Sequence, residues 1–301
     1  MRAARLMLAL ALIIAGPLAR AQEAEPGLAL DLQTLVDAIL PAQPVRVIAR
    51  LRVQGDDVVQ GAVPFKPAWG RIGLTIRSDR GEAYVNLREV VLVPPAWGDW
   101  VPPGRAMAYQ PGFEAVIDTL VVHDAREVRY LLDEPGRYSL QLSVLAFLGP
   151  DIDSYRAVTI ESNAVHLTVA EPEGEEQLAA RMWRLPWGMP QEGAADRLGL
   201  SSCPNTSYAQ YAAFAMSSWE TISRVERIRM LEELARQGPP EQIADLVLLR
   251  LAELLMAERD YAAAAEWAAR VEDVPTAPQH VRERAAALRE QAERSLAREA
   301  N

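Results

Sequence analysis

From Val45 the chain alternates, with Val45, Val47, Ala49, Leu51 and Val53 apolar and Arg46, Arg50 and Arg52 standing between them. A repeat of two residues puts one set on each side of an extended strand, so this run predicts a strand with one buried and one wet face. Similar runs recur at residues 72–76, 84–93, 113–122, 128–132, 138–144, 158–160 and 165–169. Between them stand turn sequences, among them Gly55-Asp56-Asp57, Ser78-Asp79-Arg80-Gly81, Asp133-Glu134-Pro135-Gly136 and Gly149-Pro150-Asp151. Roughly seven or eight short strands with no helical period among them predict an antiparallel β-sandwich over residues 45–170. Ahead of it, residues 22–44 carry Leu28, Leu30, Leu32, Leu35, Val36, Ile39 and Leu40 before Pro41 and Pro44, and read as a partly helical leader.

After Val169 the pattern changes. Glu171-Pro172-Glu173-Gly174-Glu175-Glu176 opens a linker over residues 171–205, with a short helix from Gln177 that Pro186 stops and a loop-rich connection behind it. Residues 206–301 then follow the helical period, and helices are predicted over 207–236, 240–257, 261–271 and 279–298. The expected fold class is α+β as two segregated domains, strands first and an all-α unit second.

Two resemblances refine this. Leu248, Leu251, Ala252 and Leu255 on one predicted helix, then Tyr261, Ala264, Ala268 and Val271 on the next, stand where a tetratricopeptide repeat places its packing residues. Residues 245–278 therefore resemble that family. Small residues at Ala252, Ala264 and Ala268 would let two helices approach closely. The repeat's turn glycine is replaced in Glu258-Arg259-Asp260, and its closing proline is displaced to Pro275 or Pro278. A solenoid needs about three repeats, so a small helical bundle or degenerate array is expected. Such arrays bind peptides or partner proteins on a concave face, so the resemblance implies interaction and not catalysis. The strands, in turn, resemble the immunoglobulin-like modules of exported bacterial proteins at Glu134-Pro135-Gly136-Arg137-Tyr138-Ser139-Leu140 and Ser162-Asn163-Ala164-Val165-His166-Leu167-Thr168-Val169.

Arg2 and Arg5 precede an apolar run at residues 6–15, Gly16 and Pro17 break it, and Ala19-Arg20-Ala21 offers a small-x-small cleavage site. This is the pattern of a secretory signal peptide over residues 1–21, cut after Ala21. The run is well short of the ~20 residues of a bilayer span, so the mature chain is expected to be exported, periplasmic or extracellular, with no transmembrane span. Lys66 is the sole lysine in a chain rich in Arg, Ala and Leu, a codon bias that points to a bacterium. A net charge of −10 argues against a nucleic-acid partner. Cys203 is the single cysteine, so no intrachain disulfide can form.

Chemistry-bearing patterns are sparse. His123, His166 and His280 show no metal-ligand spacing, and His166, between Val165 and Leu167, should face outward. Asp151 and Asp153 lack the glycine and distal glutamate of a calcium loop and read as a solvated turn. No nucleophile elbow, P-loop or dinucleotide fingerprint occurs, so no catalytic residue, cofactor or metal is expected. Trp97 and Trp100 stand on a proline-rich loop with Tyr109 beyond it, which suits stacking on a sugar, a protein hot spot, or tucking back over the open end of the strands. Arg46, Arg50 and Arg52, with Arg71 and Arg77, suggest a basic patch or a set of cross-strand ion pairs. The expected protein is a non-enzymatic exported binding or scaffolding component of the cell envelope with a protein partner. The alternatives are a glycan-binding module using Trp97 and Trp100, and a hydrolase whose site assembles only in space. Intact mass of the exported protein should correspond to a chain beginning at Gln22; a mass that retains residues 1–21 contradicts the cleavage reading.

Overall fold

The computed structural model describes residues 27–63, 65, 71–97, 107–124, 129–150, 152–183 and 202–299, with residues 90–97 described by their backbone alone. Its class is mixed α+β, a strand-rich N-terminal half of curled antiparallel sheets followed by helices. The strands are β1 (Leu28–Thr34), β2 (Ala38–Ile39), β3 (Val45–Val53), β4 (Val59–Ala62), β5 (Ile72–Ser78), β6 (Gly81–Asn86), β7 (Val90–Trp97), β8 (Met107–Tyr109), β9 (Glu114–Asp124), β10 (Arg129–Tyr130), β11 (Gly136–Leu148) and β12 (Arg156–Val169). The helices are α1 (Gly174–Trp183), α2 (Ser207–Met216), α3 (Arg224–Gln237), α4 (Ala244–Glu258), α5 (Tyr261–Arg270) and α6 (Gln279–Glu299).

One ladder runs β10-β9-β3-β1, with β7 also on β9; the other joins β12, β11, β5 and β6, with β4 and β8 beyond the far end of β11. β1 lies parallel beside β12 at Leu30 and Ser162 and joins the two. The alternation read from the sequence explains the core. Leu28, Leu30 and Leu32 of β1, Val45 to Leu51 at every second residue of β3, Leu74 of β5 and Leu140, Leu142 and Val144 of β11 meet in one apolar cluster. Each such side chain removed from water contributes about 1.5–3 kcal/mol.

Several expectations shift. The leader is a strand and not a partial helix: Leu28, Leu30 and Leu32 keep the two-residue period, and β1 pairs with β3 over seven residues. The single run expected at 84–93 is two strands around a turn of 3-10 helix at Leu87–Glu89, while the runs at 158–160 and 165–169 are one strand, β12. β4 and β8 are too short to show a period. On the outside of β5 the exposed Tyr84 ring lies across Gly73, so a Cβ there would displace the ring.

The helix expected over 207–236 breaks into α2 and α3. Ser217 bonds back to the Phe214 carbonyl, and Ser223 caps α3 by accepting from the Glu226 amide. Serine at both points offers the backbone partners outside a continuous helix. Gly238 at φ +79° ends α3, whereas Arg259 at φ +65° ends α4, and Asp260 then caps α5. Leu248, Leu251, Ala252, Leu255, Ala264, Ala268 and Val271 are all buried, and Tyr261 is half-buried.

Because Arg259 occupies a left-handed conformation that costs a side-chain-bearing residue free energy, Arg259→Gly should stabilise the protein by about 1 kcal/mol. Urea unfolding measures this; an unchanged or lower midpoint contradicts it.

Candidate functional site

β3 departs from its expected wet face at the point that organises the molecule. Arg46 is fully buried. Its Nε and Nη2 donate to the two oxygens of Asp118 on β9 at 2.7 and 2.6 Å. Its Nη1 donates to Asp245 of α4 at 2.5 Å and to the Gln242 carbonyl at 3.1 Å. Its backbone amide donates to the Gln242 side chain at 2.8 Å, and that side chain in turn donates to the Pro44 carbonyl and the Tyr211 hydroxyl. His280 of α6 completes the group, its Nε2 donating to Asp118 at 2.8 Å.

The alternation was right about which way Arg46 points and wrong about what lies there. The outer faces of β3 and β9 are covered by helices, so Arg46 and Ile48 are buried on that side too, as are Asp118, Leu120 and Val122. The signal lay in β9, whose residues 115–122 are apolar or small apart from Asp118 and Thr119; such a run marks burial on both faces. The other arginines do not pool into a basic patch either. Arg50 pairs with Glu114, Arg52 with Asp31 and Arg77 with Glu82 across strands, and Arg71 stands over the Phe147 ring.

One guanidinium thus faces two carboxylates, and they titrate in opposite directions. Burial pushes Asp118 up, but hydrogen bonds from Arg46 and His280 and the charge of Arg46 outweigh it and hold the carboxyl below its ordinary range. Burial pushes Asp245 up as well, Arg46 offsets only part of this, and the charge of Asp118 adds to it, so Asp245 stays above the ordinary range. Burial pulls Arg46 down, yet its two aspartates more than compensate and keep it firmly charged. His280 and Asp118 have the spacing of an oriented base, but Nδ1 of His280 is buried with no hydrogen-bond partner among the described residues. Among the described residues no three His, Cys, Asp or Glu side chains converge on a metal-sized site, and no helix is long and apolar enough to cross a membrane.

A second set of bonds surrounds the group. Trp183, fully buried, donates to the Ala42 carbonyl at 2.7 Å; Tyr208 donates to the Pro41 carbonyl and Tyr130 to that of Trp183, both at 2.6 Å. Ala42 takes up φ +62° to make this contact while its own amide donates to Leu132. Trp183 therefore seals the junction of strands and helices. Cys203 is buried in the same cluster.

The helices so fixed present an open groove of about 500 Å³ between α2 and α3. Ala209, Ala213, Met216, Met230, Arg229 and Glu233 are among the residues that line it. Of the aromatic surface read from the sequence, Tyr109 does not take part. It is 1% exposed, its hydroxyl accepts from the Val63 amide at 3.0 Å, and its ring packs edge-on to Phe113, because β8 turns it into the core. The Trp97 backbone ends β7, and Trp100 lies outside the described residues. His166 is exposed on β12, whereas His123 is buried edge-on to Tyr130.

No protein-family model and no curated protein matches the sequence. Among solved structures the chain is similar to the sporulation control protein Spo0M of Bacillus subtilis, at 9% identity over 52% of this chain and 54% of that one, with a TM-score of 0.24. It is also similar to a β-glucosidase of Listeria innocua, at 12% identity over 45% of this chain and 16% of that one, TM-score 0.21. A third likeness is to PapD-like domain 7 of human CEP192, at 10% identity over 53% and 97%, TM-score 0.23. This chain thus spans about half the length of Spo0M and a small part of the glucosidase. At these TM-scores the likenesses carry no functional argument.

Arg46→Met should destabilise the protein by about 3–5 kcal/mol, because it strands two buried carboxylates. Asp245→Asn should behave differently. A raised carboxyl stabilises fully below its unfolded value of about 3.9 and loses that contribution as pH rises through the folded value. The variant should therefore gain on wild type as pH is raised from about 4 towards 7. Asp118, held low, contributes in the opposite sense, with stability present above about 3.9 and lost as pH falls through its depressed value. Urea unfolding at several pH values reads both; an Asp245→Asn variant that loses ground with rising pH contradicts the assignment.

Proposed function

We propose that the chain is an exported, non-enzymatic binding or scaffolding protein of the bacterial cell envelope. In this reading its strands form an immunoglobulin-like sandwich, and its helices form a degenerate tetratricopeptide-like array that receives a protein partner. The observation that carries the reading is the groove between α2 and α3. Small alanine side chains leave it room, and Met216 and Met230 give it a surface that adapts to varied apolar side chains. Arg229 and Glu233, which pair with Glu226 and Arg236 on the same helix, add both signs of charge to its lining. Residues 1–21, read as a signal peptide, would deliver this surface outside the cytoplasm.

On its α2 side the groove is tied to the strands by the Tyr208 bond to the Pro41 carbonyl and, through Gln242, by Tyr211, so ordering of that wall costs little on binding.

The test compares wild type, Ala213→Glu and the Trp97→Ala/Trp100→Ala double variant as baits in a pull-down from envelope extract, with folding of each checked by circular dichroism. A protein retained by wild type and by the tryptophan variant, but reduced about tenfold with Ala213→Glu, a loss of about 1.4 kcal/mol, supports the reading. No such protein, together with glycan-column retention lost only in the tryptophan variant, overturns it in favour of a carbohydrate-binding module.

A further inference from the structure

Toward their N-termini β1 and β12 part. They lie in register at Leu30 and Ser162. Upstream of that pair Gly27 packs against β4, so closely that a Cβ on it would stand 2.6 Å from Cγ2 of Val59, and its carbonyl accepts from the Gln54 amide at 2.9 Å. The start of β12, from Arg156 to Ile160, therefore has β11 along one edge and, among the described residues, no strand along the other. An open slot of about 940 Å³ occupies this wedge, with Val58 to Gln60 on one wall and Arg156 to Thr159 on the other.

The ladder fixes which backbone groups the free edge presents. The amides of Leu145 and Gly149 donate away from β12, to the Arg71 and Gln60 carbonyls, each at 3.0 Å. Alternation along β11 turns the amides of Ala146 and Leu148 towards β12, where they stand opposite Val158 and Arg156. Arg156 and Val158 thus bond to β11, and the N–H and C=O of Ala157 and Thr159 point into the wedge. Groups two residues apart on a strand recur at about 6.6 Å, which is also the repeat of a second extended backbone. Residues 157–159 carry neither charge nor proline, the usual means of turning such pairing away. Arg156 beside them is exposed, is the one charged side chain among the described residues lining the slot, and makes no ion pair or side-chain hydrogen bond among them.

We infer that this wedge takes one extended segment of a partner protein as an added strand on β12, held by the backbone of Ala157 and Thr159 and by a Glu or Asp side chain on Arg156. Strand addition draws affinity from main-chain bonds and selectivity from side chains at alternate positions. Val58 and Val158 offer apolar surface to those side chains, and no carboxylate among the described lining residues repels an acid. An exposed ion pair contributes little by itself, so the backbone bonds carry most of the affinity and Arg156 most of the choice. The slot shares no lining residue with the groove between α2 and α3 and can hold or fail independently of it.

The experiment uses the full chain and a fluorescein-labelled TVEVTV peptide, followed by anisotropy at low salt, with TVKVTV and a fully N-methylated TVEVTV for comparison. The lysine peptide should bind at least fivefold more weakly than the glutamate peptide, and Arg156→Glu should reverse that order. The N-methylated peptide should lose binding, because it cannot complete the ladder. Ala213→Glu, which blocks the groove, should bind the peptide as wild type does. Amide hydrogen exchange should be fast at Ala157 and Thr159 in the free chain and slowed by the peptide, with Val158 slow in both. No binding by wild type, or equal binding of the N-methylated peptide, overturns the proposal, as does an Arg156→Glu variant that still prefers glutamate. Slow exchange at Ala157 and Thr159 in the free chain also overturns it, since the chain itself or a second copy would then cover the edge.

Discussion

A guanidinium taken out of water must recover its hydration from the protein, and Arg46 does so with four side-chain bonds from three elements. That constraint sets much of the architecture. The bidentate bond to Asp118 ties β3 to β9 beyond their backbone ladder, the bonds to Asp245 and Gln242 fix the start of α4, and His280 fixes the start of α6. α4 cannot shift against the sheet without leaving charge unpaired.

Such a group contributes more to geometry than to net stability. Desolvation takes back most of what the ion pairs supply, and here one cation must serve two carboxylates, so one of them is under-compensated. Asp118, with two bonds from Arg46 and one from His280, is the satisfied member; Asp245 has one bond from Arg46 and a second oxygen without a partner. Apolar packing around Trp183, Tyr208, Leu120 and Val122 does the rest of the holding, and it tolerates small displacements that the charged group does not.

Much of the fold was legible because both halves obey simple periods. The alternation at Val45, Leu74 and Leu140 located strands, and the spacing of Leu248, Leu251, Ala252 and Leu255 located a buried helix face. Residues whose surroundings come from far along the chain were not legible. Nothing near Arg46 in sequence shows that Gln242, Asp245 and His280 will cover it, and nothing near Tyr109 shows that β8 turns inward. Helix boundaries failed where serines compete for backbone partners, at Ser217 and Ser223. The groove could not be read at all, since it depends on how two helices face one another.

The bonds of Arg46 also bear on the order of assembly. Arg46 and Gln242 are 196 residues apart, and Arg46 and Asp245 199. Contacts of that separation close late, because their loop entropy must be overcome before any bond rewards it. The strands can form their inner core from residues 28–169 alone, yet one apolar, charge-bearing face of that sheet stays uncovered until α4 and α6 arrive. For as long as the last 60 or so residues are missing or undocked, the half-finished molecule exposes both hydrophobic surface and an arginine–aspartate pair. The order in which the chain emerges therefore sets how long that sticky face must be kept from other chains.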